Sequence, residues 1–326
     1  VSDVVGIDLG GTKVIAARLR DGALCESVIE PTETASSDAL IDQLVGLVLQ
    51  VRGDDLGAVG IGTPSVVDFE SGRAVSSVNI PLADVPVRAL LGERLGVPVF
   101  VDNDATVAAL AEAYDEQLRL TARNLVMITV GTGIGGGIVI GGRIYRGATG
   151  AAGELGHTMV GLDLAESVPL PTRFPQPGSL EYMAAGHALD ALASEAAVRD
   201  PQSSLALIQA QDRPVLGADA VQAAHDGDPT ALRIVALWAQ RVGVGIANAI
   251  NTFDPEEVVI GGGAARAGDL LLAPATRVAR SYTLPGVGRA TTIRLARHGV
   301  RSGVLGAALL AAHELEEEND EDRLRV

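Results

Sequence analysis

The chain has 326 residues, 25 Lys and Arg against 41 Asp and Glu, and a formal net charge of −16. That acidity argues against nucleic acid as a partner, because phosphate backbones are held by clustered cations, and 3% aromatic residues leave no base-stacking platform. The single cysteine, Cys25, excludes an internal disulfide and any multi-cysteine metal site, and no apolar run reaches the roughly 18 residues of a membrane helix.

The length predicts about two domains with sizeable cores, and 47% hydrophobic residues with 39 glycines suit a compact α/β enzyme rich in tight turns. Residues 4–9 read as a short strand. The chain thus opens without a charged segment and long apolar run, so no secretory leader is expected and the cytoplasm is the default location. Asp8-Leu9-Gly10-Gly11-Thr12-Lys13 then makes a tight turn into a second strand at 14–19. Such a turn is either a phosphate loop, in which glycine lets backbone N–H groups approach a ligand while Thr12 and Lys13 add donors, or an ordinary hairpin. Asp8 at the strand tip could hold magnesium through water.

Residues 38–51 have helical periodicity, with Ser36, Ser37 or Asp38 as cap. A strand at 58–62 ends in Thr63-Pro64-Ser65, 68–73 is a turn, Asn79 opens a loop, and 87–95 is helical. The apolar run 97–101 is a buried strand that ends in Asp102-Asn103-Asp104, before a helix over 105–113. Two carboxylates and an amide therefore stand at a strand end, where open α/β sheets place ligands; the competing reading is a helix N-cap.

A strand at 125–130 breaks into Gly131-Thr132-Gly133-Ile134-Gly135-Gly136-Gly137 and resumes at 138–140. This repeats the plan of residues 4–19 and predicts a duplicated architecture with one phosphate loop per half. Glycine weakens strands, so this density asks for a reason, and a ligand supplies one. Residues 147–157 form a small-residue loop that brings Glu154 and His157 together; the other histidines, His187 among them, read as structural. Pro169, Pro171, Pro175 and Pro177 make 168–178 a stiff loop. Helix resumes at Leu180 with Glu181 in its first turn, where the dipole favours a carboxylate whatever its role. Residues 187–230 are mostly helical, 229–250 form a long apolar helix, and a strand at 257–260 leads through Gly261-Gly262-Gly263 to another helix. The helix 302–315 closes the chain, followed by a charged, frayed tail.

Assembled, Asp8 to Lys13, Asn103-Asp104-Ala105, the 131–137 glycines, Gly153-Glu154-Leu155-Gly156-His157, Gly178 to Glu181 and the 261–263 glycines resemble the ROK family (repressors, open reading frames, kinases) over nearly the whole chain, and its bacterial glucokinases most. The resemblance implies an α/β fold of two ribonuclease-H-like lobes of the actin/sugar-kinase ATPase type around a central cleft. It divides the chain into a small lobe, 1–120, on which the helix 302–315 packs back, a large lobe, 121–300, and an acidic tail, 316–326. It implies an ATP-dependent hexose kinase acting on a 6-hydroxyl, with glucose as the first substrate. Asp104 would be the general base, and Ser65, Asn79, Asn103, Glu154, His157 and Glu181 would join it around the sugar. Asp8, Gly10, Gly11, Thr12, Lys13, Gly131, Thr132, Gly133, Gly262 and Gly263 would hold ATP and Mg²⁺. A homodimer or homotetramer is implied as well.

Departures accompany the resemblance. Where the family follows its histidine with zinc-binding cysteines, this chain has Thr172, Phe174 and Ser179, so no zinc is expected, and the prolines of 169–177 would stiffen the loop instead. Ser65 replaces a usual glycine and Thr106 a usual asparagine, which leaves fructose, mannose or an N-acetyl amino sugar as alternative substrates. Polyphosphate is a lesser alternative donor, and a sugar-binding pseudokinase or regulator an alternative to the enzyme. A regulator of this family carries a helix-turn-helix before its first phosphate loop, whereas here Asp8 follows only seven residues.

Overall fold

The computed structural model describes residues 3–77, 79–164, 168, 170 and 173–324. Pro169, Pro171 and Thr172, on which the stiff-loop and cysteine-replacement expectations partly rest, lie outside the described residues. In chain order the first elements are β1 (Asp3–Leu9), β2 (Lys13–Arg20), β3 (Ala23–Leu24), β4 (Val28–Pro31), α1 (Ser37–Val51), β5 (Leu56–Thr63), β6 (Ser65–Asp68), β7 (Arg73–Ser77), α2 (Val87–Leu95), β8 (Val99–Asn103) and α3 (Asp104–Glu112). There follow β9 (Leu125–Val130), β10 (Ile134–Ile140), β11 (Arg143–Ile144), α4 (Leu180–Ala184), α5 (Gly186–Arg199), α6 (Ser204–Gln209), α7 (Gly217–His225), α8 (Pro229–Phe253), β12 (Glu257–Gly261), α9 (Asp269–Tyr282), β13 (Thr292–Leu295) and α10 (Ser302–Leu324).

The first sheet runs β3-β2-β1-β5-β8, with β4 also on β2, and the second β11-β10-β9-β12-β13. The two orders correspond strand for strand, each built from a hairpin followed by two later strands, which is the duplication that the repeated glycine turn predicts. In the first sheet β1 and β2 are antiparallel while β1, β5 and β8 are parallel. Parallel strands are covered on both faces, and β1 is accordingly buried almost throughout rather than alternating.

The chain divides into two compact units, Val1–Leu125 with Gly137–Gly153 and Arg297–Val326, and Val126–Gly136 with Glu154–Ala296. In the first unit one core lies between β1, β5, β8 and the helices α1 and α2, around Leu40, Leu44, Leu47 and Leu91. A second core joins Val4, Ala58 and Phe100 to α3 and α10 through Val107, Leu110, Leu305 and Leu309. α10 lies directly on the sheet because a Cβ on Gly60 would collide with the Ala307 carbonyl. The core of the second unit gathers α4, α5 and α7–α9 around Trp238, whose indole N–H donates to the Ala184 carbonyl at 2.7 Å. Among the described residues no helix is long and apolar enough to cross a membrane.

Three sequence expectations are corrected. The glycine-rich break is shorter than 131–137: β10 already begins at Ile134 and includes Gly135, Gly136 and Gly137. Gly137 is small for packing, not for a ligand, since a Cβ there would lie 2.6 Å from the Ala105 carbonyl and from the Ala109 methyl of α3. The glycines 261–263 open a 3₁₀ turn, Gly263–Ala267, before α9 starts at Asp269. Finally, the C-terminal helix does not stop at 315 but continues to Leu324; its charged part is tied down by ion pairs of Glu314 with Arg146 and of Glu317 with Arg143.

Candidate active site

In the first unit Asp8 is the penultimate residue of β1, which is followed by the turn Gly10-Gly11-Thr12. The turn is pinned from inside: Gly10 N–H donates to the Lys13 carbonyl at 3.0 Å, and Thr32, on the segment after β4, donates its hydroxyl to the Gly10 carbonyl at 2.7 Å. Gly11, Thr12 and Lys13 are left exposed. Asn79 borders the turn closely, for a Cβ on Gly11 would lie 3.1 Å from the Asn79 Cβ.

At the end of β8, Asn103 is the N-cap of α3. Its Oδ1 accepts the N–H groups of Ala105 and Thr106 at 2.9 and 3.3 Å, and its Nδ2 donates to the Ser65 carbonyl at 3.3 Å. The capping reading of this motif is thus realised in Asn103, while Asp104 is the first residue of the helix, its Oδ1 accepting from Ala105 N at 2.7 Å. The Ser65 hydroxyl is buried and paired with the Thr63 hydroxyl at 3.2 Å.

Asp8 feels the charge of Asp104. Burial pushes the Asp8 carboxyl from its ordinary 3.8 to about 6; the Asp104 charge adds to this and Lys13 opposes it. Burial raises Asp104 as well, against the pull of backbone N–H groups at the start of α3. A buried carboxylate with a second negative charge nearby is favourably placed to meet a cation. Among the described residues no group of three His, Cys, Asp or Glu could hold a metal ion. Asp8 fits a divalent ion whose other ligands are phosphate oxygens and water.

In the second unit each carbonyl of the turn Gly131-Thr132-Gly133 has a hydrogen-bond partner. Gly131 N–H donates to the Gly133 carbonyl at 2.9 Å, and Gly186 N–H, at the start of α5, donates to the Gly131 carbonyl at 2.8 Å. His187 Nδ1 lies 3.2 Å from the Thr132 carbonyl; a carbonyl only accepts, so Nδ1 carries the hydrogen. His187 reads from sequence as an ordinary structural histidine, and nothing in its local pattern places it on this loop. Glu181 accepts Ile134 N–H at 2.7 Å.

The same turn lines a cavity of about 710 Å³ whose walls include His187, Val221, Trp238, Gly263, Ala264 and Arg266. Gly262 supports it in a left-handed conformation (φ 77°), with no room for a Cβ, which would lie 2.5 Å from the Val130 carbonyl. Volume and apolar walls fit a nucleotide.

Glu154 and His157 flank the 3₁₀ turn Leu155–His157 and face one another at 3.7 Å, both partly exposed. The His157 ring meets Phe174 edge-on, with centroids 5.4 Å apart. Ser179 caps α4, accepting from Tyr182 N at 3.2 Å. Among the described residues, then, His157 meets one carboxylate and one aromatic ring.

Two sheets of matching strand order, each with a glycine turn after its first strand, define the sugar-kinase and actin class of ATPase folds. The chain belongs to the ROK family, whose family model matches residues 4–314. It is 35% identical to a glucokinase of Halalkalibacterium halodurans over 94% of either chain. Among solved structures it is similar to a ROK family glucokinase from Streptomyces griseus in complex with glucose and AMPPNP, at a TM-score of 0.75 and 30% identity over 95% of this chain and 99% of that one. It is also similar to a ROK hexokinase from Thermus thermophilus, at 0.74 and 35% over 97% and 99%.

Proposed function

We propose that this chain is an ATP-dependent hexose kinase that phosphorylates the 6-hydroxyl of a hexose, glucose first. The observation that carries the reading is Asp104 at the start of α3, whose charge is felt by Asp8 near the end of β1 beside a glycine turn. Asp104 is the base: burial keeps its carboxyl more basic than usual, which suits it to accept a proton from a sugar hydroxyl as that oxygen attacks. The resemblance gives Glu154, His157, Glu181, Asn103, Asn79 and Ser65 to the remaining hydroxyls, which these groups can address as donors or acceptors. In Ser65 and Asn103 the free valences are limited to what the Thr63 pair and the helix cap leave over.

Magnesium-ATP, when bound, supplies the phosphoryl group and neutralises charge as it transfers. Gly131, Thr132, Gly133, Gly262 and Gly263 shape the nucleotide cavity, and Gly10, Gly11, Thr12 and Lys13 present donors beside Asp8, which would hold the ion. The apolar walls favour a nucleoside over a bare polyphosphate chain, which would need a cationic track. The same reading places the protein in the cytoplasm as a homodimer or homotetramer, by resemblance.

The test is ADP release from Mg²⁺-ATP against glucose, fructose, mannose and N-acetyl amino sugars, with Asp104→Asn alongside. Turnover that depends on sugar and falls about 10²–10⁴-fold in the variant supports the kinase. Calorimetric sugar binding without turnover supports the sugar-binding pseudokinase or regulator instead.

A further inference from the structure

Asp102 is 2% exposed, directly before the helix cap Asn103 and two residues before Asp104. A carboxylate buried so deeply needs a partner to remain charged. Burial pushes its proton affinity up, and the neighbouring Arg146 guanidinium opposes this. Its two oxygens have separate duties: Oδ2 accepts Arg146 Nε at 2.7 Å, while Oδ1 accepts the backbone N–H of Asn103 at 2.9 Å.

Arg146 reaches further. Its Nη2 donates to Glu314 of α10 at 2.8 Å, and its guanidinium carbon stands 3.4 Å from the ring centroid of Phe69, in the turn between β6 and β7. One planar cation thus joins the β8 end, the hairpin that begins at Ser65, and the C-terminal helix, all within the first unit. The fork shape matters, since a lysine ammonium cannot span two carboxylates and stack on a ring at once. If this position served stability alone, apolar residues of similar volume would serve as well as a buried ion pair.

We propose that Arg146 is a positioning residue for phosphoryl transfer: through the Asp102 carboxylate it fixes the Asn103 peptide and thereby the aim of Asp104. The proposal rests on the reading of Asp104 as general base. A base displaced by about 1 Å loses about a hundredfold in rate while ground-state binding changes little.

The experiment compares wild type, Arg146→Ala, Arg146→Lys and Asp104→Asn in the ADP-release assay, with thermal unfolding as a check of folding. Arg146→Ala and Arg146→Lys are expected to lose about 10–100-fold in kcat with KM for sugar and ATP nearly unchanged. Arg146 also lines a pocket of about 130 Å³ with Leu110, Ile144 and Leu310, so its truncation opens a space for a small cation. Guanidinium chloride below denaturing concentration should restore part of kcat in Arg146→Ala, and sodium chloride at equal ionic strength should not. Should Arg146→Ala fail to fold, Glu314→Gln, which loosens the same guanidinium at the α10 end, decides by the same kcat-against-KM split. Unchanged kcat, or a loss that guanidinium does not reverse, overturns the proposal while wild-type turnover and an inactive Asp104→Asn leave the kinase reading standing. Absence of turnover in the wild type overturns both.

Discussion

A carboxylate oxygen of Glu181 lies 2.7 Å from the backbone nitrogen of Ile134, the residue at which the second glycine turn becomes strand β10. A Cβ on Gly133 would lie 2.5 Å from that oxygen, so the turn is closed down onto the side chain. The residue that the family resemblance gives to the sugar is therefore also a support of the nucleotide loop. Glu181→Ala should raise KM for both glucose and ATP, because the loop N–H loses its acceptor at a cost of about 1–3 kcal/mol. Glu181→Gln keeps an acceptor oxygen and should chiefly affect the sugar. Initial-rate kinetics varying each substrate distinguish the two; an unchanged KM for ATP in Glu181→Ala would separate loop and carboxylate.

Asp8 sets stability against function. Its folded proton affinity is raised from 3.8 to about 6, so the native state binds the proton more tightly than the unfolded chain does. Wild type should therefore lose stability as pH rises from about 4 to about 6, and stay at the lower level above that. Asp8→Asn lacks this loss and should be more stable than wild type above pH 6 by up to about 3 kcal/mol, with the difference vanishing below pH 4. Denaturant unfolding across pH in EDTA measures it, and the same variant should have lost turnover with Mg²⁺-ATP.

Glu112 at the end of α3 is fully buried, and it accepts the backbone N–H groups of Arg297 and His298 at 2.9 and 3.0 Å and the Ser302 hydroxyl at 3.0 Å. These are the residues that lead into α10. Glu112→Ala would orphan buried donors and should cost about 3 kcal/mol or more of unfolding free energy. Urea titration checks it, and a loss below about 1 kcal/mol would mean that the loop finds other acceptors.

The nucleotide cavity can be filled from its wall. Ala264→Phe places a ring into the space beside Gly263 and should weaken AMPPNP binding about tenfold or more, equivalent to about 1.4 kcal/mol, with sugar affinity measured alone unchanged. Calorimetry with each ligand in turn reads both. Equal AMPPNP affinity would move the nucleoside out of this cavity.

Local pattern by itself determined much of this protein. Strand and glycine-turn signals at residues 4–19 and again from 125 were enough to predict a duplicated α/β architecture, since period and turn chemistry are properties of neighbouring residues. The motif order carried the family, and the Asp102-Asn103-Asp104 run at a strand end was legible because an apolar run stops there. What only the tertiary structure decided are the pairings between residues far apart in sequence. Arg146 meets Asp102 from 44 residues away and Glu314 from 168, Glu181 meets Ile134 across 47, and the cavity draws on segments from Val130 to Ala267. The role of Gly137 belongs here too: the sequence shows a costly glycine, and only the packed helix α3 shows that the missing Cβ makes room for a neighbour rather than for a ligand. Periodicity reports which face of an element is buried; which side chain waits on that face is settled when the sheets and helices close on one another.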